Sequence, residues 1–185
     1  MILDSYIRYF IITGLIIIPT CLLAQITSPC DTFPVPPKNK YDLFYLQRQP
    51  NANTIVVELN VKNGKVDDEN PVHAYWIRFT EKGQRAGLNY IQRTFAYGID
   101  SKKIKEGIYE LNFVSYKKLK IRLERDSENT WRVFYKLVNG NFITLKRIYL
   151  HINGGSFWSP NVEYVEIKGN NTLTNKEVRE RIKLK

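Results

Sequence analysis

Beyond residue 50 apolar and polar positions alternate with a period of two, the mark of strands that keep one face dry. Residues 118–125 show it most clearly: Leu119, Ile121 and Leu123 point one way, and Lys118, Lys120, Arg122 and Glu124 the other. After a turn at 126–129, Trp131, Val133, Tyr135 and Leu137 form the next inward row, and Asn139-Gly140 marks a tight hairpin into a strand over 142–151. Ile55, Val57, Leu59 and Val61 alternate with Val56, Glu58 and Asn60 ahead of a second turn dipeptide, Asn63-Gly64. Further strands are expected over 110–116 and 162–168. The connections are too short for helical crossovers. The expected class is therefore all-β (or β-rich α+β), an antiparallel meander of about seven to eight strands forming a barrel or sandwich.

Three segments depart from simple alternation. In residues 71–79, His73, Tyr75, Ile77 and Phe79 share one face while Val72, Ala74, Trp76 and Arg78 share the other. Both faces are largely apolar, which predicts a central strand covered on both sides. In residues 88–98 the period changes: Leu88, Ile91 and Phe95 fall at helical spacing, and Gly98 is placed to end the turn. One short helix near 87–97, packed on or plugging the sheet, is expected. The tail from Asn175 is charged and fits either a last edge strand or a frayed helix.

The N-terminus changes the picture of compartment. Residues 10–24 (FIITGLIIIPTCLLA) form an apolar run behind a short lead that carries Asp4 and Arg8. The run is shorter than the roughly 20 apolar residues of a membrane span, and Pro19 interrupts it. Residues 1–24 thus read as a signal peptide, cleaved near Ala24 to leave a periplasmic or secreted protein, although Leu22 fits the small-x-small rule imperfectly. A retained N-terminal membrane anchor is the alternative. Residues 25–40 are a Pro-rich leader, with Pro34, Pro36 and Pro37 imposing extended backbone, and read as a tether to a single β-rich domain over 41–185. Cleavage leaves about 160 residues, enough for one packed core. It also removes Cys21, so Cys30 has no intrachain disulfide partner and stability must come from packing. With two histidines and no Cys/His cluster at ligand spacing, the sequence calls for neither metal nor cofactor.

The chain carries a formal charge of +10, and the signal segment's one acid and one base cancel, so the exported part keeps all of it. Basic residues are spread over 38–40, 102–105, 117–125 and 179–185. Solvated faces are the plain explanation. The functional one is attraction to an anionic surface, which after export means lipid head groups, envelope polysaccharide or an acidic partner, with peripheral membrane-surface contact among the outcomes. Nucleic acid belongs to the wrong compartment.

Candidate chemistry is sparse. His73, Tyr75, Trp76, Arg78, Tyr90 and Arg93, together with Tyr97, His151 and Trp158, supply the aromatic and basic groups that line small-molecule sites in barrel mouths. They suit a small apolar or anionic ligand, or an envelope component. His73 could serve as a general base with Glu81 or Arg93, and His151 could activate Ser156 in the HINGGSFW run, but the G-x-S-x-G frame of a nucleophile elbow is absent. The acidic stretch after Gly64 fails as a calcium loop, because Gly64 at its sixth position puts Leu59 and Val61 at ligand positions. No residue is assigned as catalytic. A non-enzymatic binding domain is the first reading, a hydrolase built on a His/carboxylate pair around His73 or His151 the alternative, and a structural module pairing its basic faces with a partner the third.

The runs NANTIVVELN (51–60), PVHAYWIR (71–78), LNYIQRTFAYG (88–98) and RIYLHINGGSFWSPNVEYVEI (147–167) together resemble the bacterial family called domain of unknown function 4833. The resemblance covers nearly all of the chain from Asn51 on. It implies an envelope-associated or secreted bacterial protein of the Bacteroidetes type, and it carries over no catalytic residue.

Overall fold

A computed structural model describes residues 29–156 and 159–184; the expected signal peptide and Trp158 lie outside the described residues. The organising element is a long strand, β11 (Phe142–Gly155), whose two edges are used differently. One edge is occupied along its length by β12 (Pro160–Asn171), which in turn pairs with β13 (Glu177–Lys183). The other edge is shared: β10 (Trp131–Lys136) takes 142–144, and β1 (Asp42–Arg48) takes 147–150. The sheet therefore forks at β11.

One arm continues from β1 through β2 (Thr54–Leu59) and β5 (Val72–Arg78) to β6 (Gln84–Gly87). The other runs from β10 through β9 (Tyr116–Arg125) and β8 (Ile108–Phe113) to β7 (Ile99–Lys105). A separate hairpin, β3 (Val61–Lys62) and β4 (Lys65–Val66), turns at Asn63-Gly64, both at positive φ as its tight turn requires. The two arms curl over one another into a half-closed barrel, so that Phe44 of β1 meets Phe113 of β8 edge-to-face at 6.3 Å. Ile55, Val57, Leu111, Leu123, Ile143 and Ile167 fill the space between them with no exposed surface. Each such side chain contributes roughly 1.5–3 kcal/mol by burial.

The inward rows expected from alternation are the ones observed, with Leu119, Ile121, Leu123, Val133 and Leu137 all buried. The strand count differs: among the described residues eleven strands share the main sheet where seven to eight were expected. Two of the missed strands, β6 and β7, share a cause, while β1 lies inside the sheet but is too short a segment for its dry face to show. β6 (QRAG) and β7 (IDSKKIK) lie at sheet edges, where strands stay polar on exposed faces and lose their alternation. The charged tail is an edge strand as well, with Val178 and Ile182 turned toward the core. The β1–β11 pair is parallel, Tyr45 opposite Arg147, so the sheet is not purely an antiparallel meander. β1 occupies the length of β11 that β10 leaves open.

The expected helix is present as α1 (Tyr90–Phe95), started by a capping box in which Asn89 Oδ1 accepts from Gln92 N and Gln92 Oε1 accepts from Asn89 N. Gly98 is required behind it, since a Cβ there would lie 1.9 Å from the Arg93 carbonyl oxygen. Of the three residues at helical spacing only Leu88 is buried; Ile91 and Phe95 remain 43% and 61% exposed. Among the described residues no helix is long and apolar enough to cross a membrane.

From Asp31 onward the leader is packed on the outer face of the sheet rather than free as a tether. Phe33 stacks edge-to-face on Tyr149 at 6.1 Å, and Gln47 Nε2 donates to the Pro34 carbonyl at 3.0 Å. Asp31 pairs with Arg179 at 2.7 Å and with the buried Arg147 at 3.3 Å.

Candidate functional site

The fork in the sheet leaves an opening. Where β1 ends on β11, the inner faces of β1, β11 and β12 part from the β8–β9 hairpin, and α1 stands across the gap. The result is a cleft of about 750 Å³, within the range of small-molecule sites. Its floor is apolar: Leu46, Ile148, Leu150, Ile152 and Val165 come from β1, β11 and β12, and Phe113 and Leu119 from the opposing hairpin. Strand alternation explains the composition, because each of these residues continues an inward row. The rim carries Ile91 and Phe95 of the helix, and the 154–156 bend, where Gly154 and Gly155 both have positive φ.

Arg48 is the single charged side chain among the described residues of the wall. It ends the row Phe44, Leu46, Arg48 on β1, so its stem runs inward with the apolar side chains. Its guanidinium carbon lies 5.9 Å from the centre of the Tyr97 ring. Among the described residues it forms no ion pair, and its Nε is buried with no hydrogen-bond partner. Burial raises the Tyr97 phenol above its ordinary value, and the neighbouring Arg48 charge and hydrogen bond pull it back down. The cleft thus presents an apolar lining, a neutral phenol and one guanidinium that no carboxylate among the described residues neutralises.

The residues singled out from sequence are divided by the sheet. Tyr97 lies in the cleft wall. Trp76 sits buried behind it, its ring 5.3 Å from Tyr97 and its Nε1 donating to Gln92 Oε1 at 3.2 Å. Tyr90 and Arg93 are on α1 at the rim, Tyr90 exposed and Arg93 donating to the Leu88 carbonyl. The others are elsewhere. His73 and Tyr75 point to the outer face of β5, where His73 Nε2 lies 2.7 Å from Glu58 Oε1 and Arg85 donates to the same carboxylate. The Tyr75 hydroxyl donates to Asp42 at 3.1 Å, and Arg85 stacks 3.5 Å from its ring centre. Arg78 pairs with Glu81 at the surface.

His151 also faces outward, stacked on Tyr164 at 4.5 Å with its Nε2 3.3 Å from Glu163. Each histidine therefore has a carboxylate, His73 with Glu58 rather than Glu81 or Arg93, but neither lines the cleft. The Ser156 hydroxyl accepts from Ser159 N at 3.0 Å and closes the loop that follows the glycines. It is occupied in the turn rather than by His151.

Arg48 and the apolar floor were missed by sequence reasoning. The signal was present in LFYLQRQP (43–50), where an arginine continues an inward apolar row, but without β11 in place the segment is too short to reveal which face is dry.

No curated protein and no solved structure matches the chain. A family model described as a domain of unknown function (DUF4833) matches residues 44–181, which spans both arms of the sheet, the helix and the cleft. The chain belongs to this DUF4833 family.

Proposed function

We propose that this chain is a non-enzymatic binding domain whose cleft takes an amphipathic anion, an alkyl chain ending in a carboxylate or a comparable acidic head. The observation that supports it most is Arg48, paired with no carboxylate among the described residues, in an otherwise uncharged, mostly apolar wall. A half-buried guanidinium whose Nε is cut off from water is costly to leave unpaired, and a ligand carboxylate relieves that cost with a bidentate, charge-assisted contact. The alkyl portion lies against Leu46, Ile148, Leu150 and Leu119. Export belongs to the same reading: with residues 1–24 acting as a signal, the ligand is an envelope lipid component or its breakdown product.

Calorimetric titration with octanoate, decanoate, dodecanoate and dodecanol tests the proposal. Burying a methylene contributes about 0.8 kcal/mol, so four more carbons tighten binding by roughly 200-fold. Arg48→Gln removes a charge-assisted contact worth about 1.5–3 kcal/mol and weakens the carboxylates about 10- to 100-fold, leaving dodecanol unchanged. Equal loss of acid and alcohol, or no dependence on chain length, refutes the reading.

A further inference from the structure

The helix that stands at the mouth of the cleft is built unlike a packing element. None of its residues is buried. Tyr90, Ile91 and Phe95 expose 75%, 43% and 61% of their surface, although a six-residue helix has little other means of docking than its apolar side chains. Ile91 and Phe95 are four residues apart and share one stripe, and both also line the cleft, so the exposed apolar surface is continuous with the cleft interior. Contiguous apolar surface of this kind on a soluble fold marks an interaction site.

The charge around the patch indicates what it meets. Ser115 Oγ donates to the Ala96 carbonyl at 2.6 Å, and Val114 N donates to the Gly98 carbonyl at 3.0 Å. These bonds tie the β8–β9 hairpin to the helix end, and Lys117 and Lys118, the second and third residues of β9, follow Ser115 and Tyr116 of the cleft wall as exposed positive charges. Lys118 has no carboxylate within 4 Å among the described residues, and Lys117 is offset only by Asp100 at 3.8 Å. Arg93 adds a third positive charge, spending one nitrogen on the Leu88 carbonyl. Aromatic and aliphatic side chains flanked by cations form the composition of a segment that lies in a lipid interface, with the cations at the head groups.

We infer that the α1 rim docks the cleft mouth onto an anionic lipid surface, with Tyr90, Ile91 and Phe95 entering the head-group boundary and Arg93, Lys117 and Lys118 pairing with lipid phosphates. The inference goes beyond the cleft reading, since it concerns where the mouth is held. It gives a ligand with an alkyl chain a route from lipid into the cleft without crossing water.

The test is hydrogen–deuterium exchange of the full chain with vesicles of phosphatidylglycerol or of phosphatidylcholine, read locally so that attachment through residues 10–24 does not count. With phosphatidylglycerol, exchange over 89–97 and 114–118 should slow several-fold while the central strands stay unchanged. At 1 M salt, where the screening length is about 3 Å, the protection should fall. Ile91→Ser/Phe95→Ser should abolish it with core exchange intact, and Arg48→Gln should keep it. No protection at 89–97, or equal protection by phosphatidylcholine, overturns the inference. Protection that needs no vesicles and grows with protein concentration assigns the patch to a second copy and overturns it too. Loss of protection in Arg48→Gln means that lipid filling the cleft, not docking, is being read.

Discussion

Glu166→Gln should destabilise the fold severely, although it changes neither shape nor volume. Glu166 is 3% exposed on the outer face of β12 and accepts from Arg147 Nη2 at 3.1 Å and Arg181 Nη2 at 3.0 Å. Arg147 is 4% exposed, with Asp31 of the leader as its second acid at 3.3 Å. Breaking a buried ion pair from one side costs about 3–5 kcal/mol, because the remaining charge stays out of water. Asp31 retains part of the compensation for Arg147, and Arg181, with its side chain 41% exposed, can return to solvent. The expected cost is therefore at the low end, about 3 kcal/mol. With a urea dependence of about 2 kcal/mol per molar, the unfolding midpoint should drop by about 1.5 M.

The partner experiment replaces the pair with apolar side chains. Arg147 Nε is buried without a hydrogen-bond partner, a cost that Arg147→Met removes, and Arg179 still holds Asp31 at 2.7 Å. Arg147→Met/Glu166→Leu should recover at least half of the loss seen for Glu166→Gln. Equilibrium urea unfolding followed by circular dichroism measures both. A midpoint drop below about 0.3 M for Glu166→Gln, or a double variant weaker than the single, would refute the reasoning.

Two further outcomes follow from the same structure. Burial, then the nearby Asp42 charge, pushes the Tyr75 phenol up to about 12, and burial with the Asp68 hydrogen bond does the same for Tyr109. Both stay protonated in the folded chain where an unfolded tyrosine ionises, so their contribution is complete below about pH 10 and is lost between about pH 10 and 12. Urea midpoints should fall across that window, and less steeply in Tyr75→Phe; a flat profile contradicts the assignment. Gly98→Ala places a Cβ against the Arg93 carbonyl oxygen at 1.9 Å and should cost about 1–3 kcal/mol or displace the helix. The Ala96 and Tyr97 amides, which bond to the Gln92 carbonyl, should then exchange faster, and unchanged exchange with unchanged stability would show that the contact is relieved elsewhere.

The parts of the fold that could be read from sequence are those where one strand face is wet and one is dry. Lys118 to Glu124 is such a strand, and its inward leucines and isoleucine are buried as its pattern requires. β2 is buried at every position, yet its alternation was visible because Glu58 and Asn60 interrupt the apolar run. Edge strands gave no such contrast: β7 exposes nearly all of IDSKKIK, so nothing in its periodicity separates it from a loop. The parallel pairing of β1 with β11 joins residues about a hundred positions apart, Tyr45 with Arg147, and no local pattern encodes that register.

The same long-range pairing explains why the site was only partly legible. Tyr97 and Trp76 were marked by aromatic content and do come together at the cleft. His73 and His151 were marked by chemistry, and alternation then carried both to the outer faces, against Glu58 and Glu163. Arg48 acquires its meaning only when β11 closes one side of it and the β8–β9 hairpin faces it from the other.

The most direct measurement is a crystal structure of the chain with dodecanoate. The alkyl chain should lie between Leu46, Leu119 and Ile148, with a carboxylate oxygen about 2.7–2.9 Å from the Arg48 guanidinium. A carboxylate turned to solvent, or an alkyl chain seated on an outer face with the cleft unaltered, would contradict that placement.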